Sequence, residues 1–209
     1  MHGKYVLKII TRRENSMKLW TVQPYCVYEL MQKEGVYRCD PKKSEFIQEW
    51  GGFANAYDWI SKQMKKRIGN PPNGIEYPVW AWYIYEGKNK RPDMRHRDVR
   101  VNEKSVLLEV EISDSEVLLT NEEFWHSVLN DNIYYKANNM VNISDEQWYM
   151  EVENEDKYFN SLSPEEKISY KEKSWENIIC LPDVDTPYVQ ATFWELKVSQ
   201  IKRTWILKK

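Results

Sequence analysis

Histidine and cysteine are scarce, three of each, and neither falls into a metal-ligating or redox spacing. Cys26, Cys39 and Cys180 form no CxxC and no paired Cys/His arrangement. That argues against a zinc site or a disulfide framework and predicts free, buried thiols in a reducing cytoplasm. The signatures of dinucleotide folds, P-loops, zincins and α/β-hydrolases are all missing, so no familiar catalytic apparatus is spelled out. Nor does any run approach the ~20 apolar residues of a membrane span. The stretch from Tyr5 to Ile10 is short, broken by Lys8 and followed by no small-residue cleavage site, so no secretory signal is expected. Charge of one sign is lacking too: 30 basic residues face 32 acidic ones, for a net of −2. No global field therefore draws the chain to nucleic acid or a membrane, although a local basic groove remains open.

What the chain does have is tryptophan, ten in 209 residues. Indole rings gather where apolar surface meets polar chemistry, because the N–H wants an acceptor. A ring-stacking pocket, an interface and a wet-edged core all fit.

The polar run from Arg12 to Ser16 sets off residues 1–16 as an N-terminal extension, with one α+β domain expected over 17–207. Lys18 to Gln23 reads as a strand stopped by Pro24, and a helix then runs to a glycine cap at Gly35. Phe53, Tyr57, Ile60, Met64 and Ile68 recur at helical spacing, with lysines and Arg67 on the outer face. Pro78 to Tyr85, unbroken by charge, predicts a central strand covered on both sides. Strands are expected over 105–112 and 116–120, with Asn121 capping the next helix. Residues 130–162, acidic and Asn-rich, look like an insertion that packs on the core. Ser163-Pro164-Glu165-Glu166 is a capping box that should start a helix running to about Ile179. Val189 to Val198 and Ile201 to Leu207 predict closing strands. Strands and helices neither alternate nor segregate, so an α+β fold with a mixed or antiparallel sheet flanked by helices is expected.

Candidate functional residues follow from this layout. Strand alternation puts Glu195 in phase with Ala191 and Phe193, where a buried carboxylate is costly unless paired. Its alternative is a strand-end Glu held by Arg or Lys. Gln23 can read a ring edge or a ribose hydroxyl, or cap the helix after it. The loop holding Arg91, Arg95, His96 and Arg97 could neutralise phosphates beside the Trp80 and Trp82 strand, or be merely solvated. His126 is a general base or ligand in one reading and a helix-surface side chain in the other.

The segments 17–23, 57–68, 78–83, 125–130 and 193–196, from Met17-Lys18-Leu19-Trp20 to Phe193-Trp194-Glu195-Leu196, resemble a bacterial family, domain of unknown function 3841. That resemblance implies a bacterial, cytoplasmic protein and supplies no activity. More distantly, the strand, helix, Gly35, strand opening is similar to that of ADP-ribosyltransferases. It implies NAD as substrate, Glu195 as the catalytic carboxylate and Gln23 or Thr21 holding the ribose. Trp20, Trp80, Trp82 and Trp194 are then ring-binding residues, and Arg91, Arg95 or Arg97 meets phosphate. Those enzymes commonly place His or Arg on the first strand, where this chain has Trp20 to Gln23. The Gln23-Pro24 and Gly35 pattern is also similar to RNA-binding modules of the PUA and ASCH type, which implies nucleotide or nucleic-acid binding without catalysis. A third class is a protein-interaction domain with an exposed Trp surface.

Overall fold

The structure, a computed structural model, describes residues 15–40, 42, 53–72, 74–93, 104–180 and 186–207. The expected extension, apart from Asn15 and Ser16, lies outside these residues, as do Arg95, His96, Arg97 and most of the 182–187 linker.

β1 (Ser16–Pro24) leads directly into α1 (Tyr25–Glu34). α1 closes on Gly35 at φ 79°, whose N–H donates to Met31 O at 2.8 Å. Glycine reaches this left-handed conformation without a Cβ penalty. Next come β2 (Val36–Arg38), α2 (Ala54–Ile68), β3 (Val79–Tyr85), β4 (Ser105–Ser113) and β5 (Leu118–Asn121). α3 (Glu122–Leu129) is capped as expected, Phe124 N donating to Asn121 Oδ1 at 3.2 Å. α4 (Asp145–Ser161) and α5 (Pro164–Ser174) follow, then β6 (Ile179–Cys180), β7 (Tyr188–Phe193), β8 (Glu195–Lys197) and β9 (Ile201–Leu207).

Seven strands form one antiparallel sheet in the order β6-β5-β7-β3-β1-β4-β9, and β2 with β8 makes a second, two-stranded one. The fold is α+β, as the order of elements implied. β3 is the central strand. One face of the large sheet packs Leu19, Ala81, Leu108, Ala191 and Phe193 with Met31 of α1 and Leu196 of β8. On the other side Leu118 and Trp80 meet Trp59, Ile60 and Met64 of α2 and Trp125 of α3. Trp59 and Trp175, both buried, touch edge to face at 5.6 Å and anchor that second core.

Three expectations need correction. The closing strand is not continuous from Val189 to Val198, because the chain bends at Trp194 and changes sheet. Trp194 is buried there, and its Nε1 donates to Gly69 O at 2.9 Å, which holds the bend against the end of α2. The helix after Ser163 ends at Ser174 and tightens into a 3-10 turn over Trp175–Ile178. The thiols are free but none is fully buried: Cys26 is exposed, and Cys39 and Cys180 are half-buried. Within the Asn-rich stretch, α4 starts from a capping box at Ser144 and Gln147. No helix among the described residues is long and apolar enough to cross a membrane.

Candidate functional site

The junction of β1 and β3 at the centre of the large sheet differs from its neighbours. β1 is in register with β4 from Ser16↔Ser113 through Pro24↔Ser105. β3 pairs with β7 from Val79↔Phe193 to Tyr85↔Tyr188, with one irregularity after Trp82. Between β1 and β3 the register is a single pair, Trp20↔Trp82. Side chains take up carbonyls that a longer ladder would use. Thr21 Oγ1 donates to Trp80 O at 2.7 Å, while Asn89 Nδ2 donates to Lys18 O at 3.0 Å and to Tyr83 O at 2.7 Å. The sheet is thus two half-sheets joined at a thin seam.

A cleft of about 300 Å³ opens at the Gln23 end of this seam. Gln23 and Val79 come from the α1 side of the sheet, with Tyr37 and Cys39 beside them. Val22, Trp80 and Gln190 alternate to the opposite side, where Tyr57 of α2 and Trp125 of α3 complete the wall. The rings are mutually braced: Tyr57 meets Trp80 at 6.2 Å and Trp125 at 6.3 Å, and Trp80 lies 5.0 Å from Trp125.

This lining is neutral. None of its described residues is Asp, Glu, Lys, Arg or His. Burial pushes the Tyr37 hydroxyl up to about 12, with the neighbouring Cys39 and Asp40 adding to the effect. Burial likewise takes Tyr57 to about 12. The Cys39 thiol is raised by burial and then by Asp40. All three stay protonated at neutral pH and add no charge to the wall.

Polar atoms on the α2 and α3 side of the sheet are left over. Trp20 Nε1, Trp80 Nε1, Thr120 Oγ1, Gln190 Oε1 and, on α2, Gln63 Oε1 are buried without a hydrogen-bond partner. Trp20, Gln190 and Thr120 lie in one cross-strand row, Trp20↔Trp82↔Gln190↔Thr120. Each such group costs about 1–3 kcal/mol while unsatisfied. The other described indoles that donate do so to named acceptors: Trp148 to Asn138, Trp175 to Asn132 and Trp194 to Gly69.

Of the residues singled out from sequence, the cleft brings together Gln23 and Trp80. Thr21 lies behind them, tied to Trp80 O and accepting from Gln23 Nε2 at 2.8 Å. Gln23 does not cap α1, whose start has no side-chain cap. Trp20 and Trp82 form the seam pair, and Trp82 stacks edge to face on Tyr85. Glu195 stands elsewhere. Its Oε2 accepts from Arg38 Nε at 3.1 Å and Nη2 at 3.0 Å, and Lys197 Nζ lies 3.2 Å from Oε1. With Trp194 it lines a separate hollow of about 160 Å³. The bend at Trp194 takes this carboxylate out of phase with Ala191 and Phe193, and Leu196 joins their core in its place. His126 is exposed on α3, with Nε2 3.4 Å from Glu122 Oε1. Arg91 sits over the Trp205 ring at 4.9 Å, against β9. Among the described residues no group of three or more His, Cys, Asp or Glu could hold a metal.

Tyr37, Cys39, Tyr57, Trp125 and Gln190 also line the cleft and were not singled out from sequence. Tyr57 belongs to an apolar helical stripe, and such a stripe reads as core. Gln190 could have been flagged as an amide placed between apolar neighbours Val189 and Ala191 on a buried strand.

A family model described as "Domain of unknown function (DUF3841)" matches residues 18–202. No curated protein and no solved structure matches the chain.

Proposed function

The chain belongs to this DUF3841 family, and from that premise we propose that it is a binding module whose β1–β3 cleft receives the base of a nucleoside, nucleotide or nucleic acid. The observation that carries this reading is the pairing of three braced rings, Tyr57, Trp80 and Trp125, with two amides, Gln23 and Gln190, in a lining whose described residues carry no charge. Flat aromatic walls stack a ring of any sequence, and an amide offers donor and acceptor to its edge. A neutral cavity of about 300 Å³ holds a base and leaves phosphate outside. The same reading places the protein in the bacterial cytoplasm, supported by three free cysteines.

The transferase reading needs Glu195 and Gln23 at one cleft. They line separate hollows, and Glu195 is engaged by Arg38 and Lys197. NAD is therefore a probe here rather than the expected substrate. Equilibrium dialysis against uridine, adenosine and NAD separates the two classes. Saturable binding of a nucleoside, without release of nicotinamide from NAD, is the expected result. Nicotinamide release that disappears in Glu195→Gln restores the enzyme. Retention of none of the three compounds removes the ring-binding reading.

A further inference from the structure

The cleft's leftover polar atoms are of two kinds, and that limits what can enter. Trp80 Nε1 is a donor and nothing else; Gln190 Oε1 is an acceptor. Both residues line the cleft, on adjacent strands whose register places Trp82 opposite Gln190 and Trp80 opposite Thr192. Hydrocarbon satisfies neither atom. A phosphate or carboxylate offers acceptors alone and brings charge to a lining whose described residues carry none. The match is a flat ring whose edge carries an acceptor next to an N–H, as in the lactam edge of uracil or the amidine edge of adenine.

Resting on the base-binding reading above, we propose that the cleft is selective for this mixed edge, with Trp80 Nε1 donating to the ring acceptor and Gln190 Oε1 accepting from the ring N–H. The two atoms are shielded from solvent on β3 and β7, beside the seam, so the edge reaches them when the cleft wall loosens at the thin β1–β3 pairing. The seam suits that movement, since one register pair and the Thr21 and Asn89 side chains are what join the two strands. Trp20 and Thr120, at the two ends of the same cross-strand row, are buried without partners outside the cleft lining.

Methylated bases test the edge without removing the ring. Uridine is compared with N3-methyluridine, and adenosine with N6,N6-dimethyladenosine, by calorimetric titration of the full chain. The parent that binds is expected to lose about tenfold or more in affinity on methylation. Gln190→Leu should weaken the parent by a similar factor and leave its methylated partner unchanged. Trp80→Phe, which keeps a ring and loses the N–H, should weaken both. Equal affinity for parent and methylated base overturns the edge proposal while ring binding stands. Binding of neither parent overturns both. Should Gln190→Leu fail to fold, judged by its melting curve, the methylated pair and Trp80→Phe still decide.

Discussion

Glu195 and Gln190 are close neighbours in the chain and meet opposite fates. Beyond the bend at Trp194, Glu195 finds Arg38 across the β2–β8 ladder and Lys197 beside it, and its carboxylate is engaged at both oxygens. Before the bend, Gln190 stays in the large sheet between Trp82 and Thr120, and its oxygen has no partner. The charged hollow is thus electrostatically closed, while the neutral cleft holds unused hydrogen-bonding capacity. Charge attracts attention in a sequence, yet a surface carboxylate finds a cation easily and then has little left to do. A neutral amide in a sheet interior has far fewer ways to be satisfied, and its lack of a partner is the more informative sign.

Substitutions in the cleft and in the charged hollow should therefore separate cleanly. The largest effect is expected from Trp80→Ala, which removes a wall packed on Tyr57 and Trp125. It should abolish nucleoside binding and lower stability by about 2–4 kcal/mol in urea melts. Asn89→Ala takes away the bonds to Lys18 O and Tyr83 O that hold the seam. A loss of about 1 kcal/mol is expected, with faster amide exchange in 18–22 and 79–84 than in 106–110. Gln190→Leu points the other way. Removing a buried, partnerless acceptor should leave the ligand-free protein as stable as before or more stable, by up to about 1 kcal/mol. Glu195→Gln breaks the pairs to Arg38 and Lys197, and Arg38 is exposed. Less than about 1 kcal/mol should be lost, with nucleoside affinity unchanged. Equal damage to binding from Glu195→Gln and Gln190→Leu would erase the contrast between the two hollows.

The last effect is confined to alkali. Tyr37 and Tyr57 have folded-state values near 12 against an ordinary 10, so folding favours their neutral forms. Their stabilisation is complete below pH 10 and is lost as pH rises from there through about 12. Melting temperatures should be flat near neutrality and fall across that window, less steeply in Tyr57→Phe.

Local signals in the sequence were strong wherever one element decides its own ends. Gly35, Asn121 and Ser163 each terminate or start a helix through their own backbone or side chain, and each does so in the structure. The Phe53 to Ile68 period and the uncharged run to Tyr85 likewise give α2 and β3. The break at Trp194 was hidden, because it depends on an acceptor, Gly69 O, far away in the chain. Strand alternation carried through that point put Glu195 on the wrong side of the question. Gln23 and Trp80 were legible as site residues; their partners Tyr57, Trp125 and Gln190 were not. Those three come from three different elements, and the seam that gathers them is a property of strand order. The chain order β1, β3, β7 carries no trace of a ladder only one pair long.

The indole N–H signals in a proton–nitrogen correlation spectrum test the central claim most directly. Ten tryptophans supply them, and Trp80→Phe and Trp125→Phe identify the two in the cleft. Titration with a nucleoside that binds should move the Trp80 and Trp125 signals together. Those of Trp59 and Trp175, buried in the same core but away from the cleft lining, should stay in place. Movement confined to Trp194, beside Glu195, or to Trp205, beneath Arg91, would put the ligand elsewhere and contradict the account.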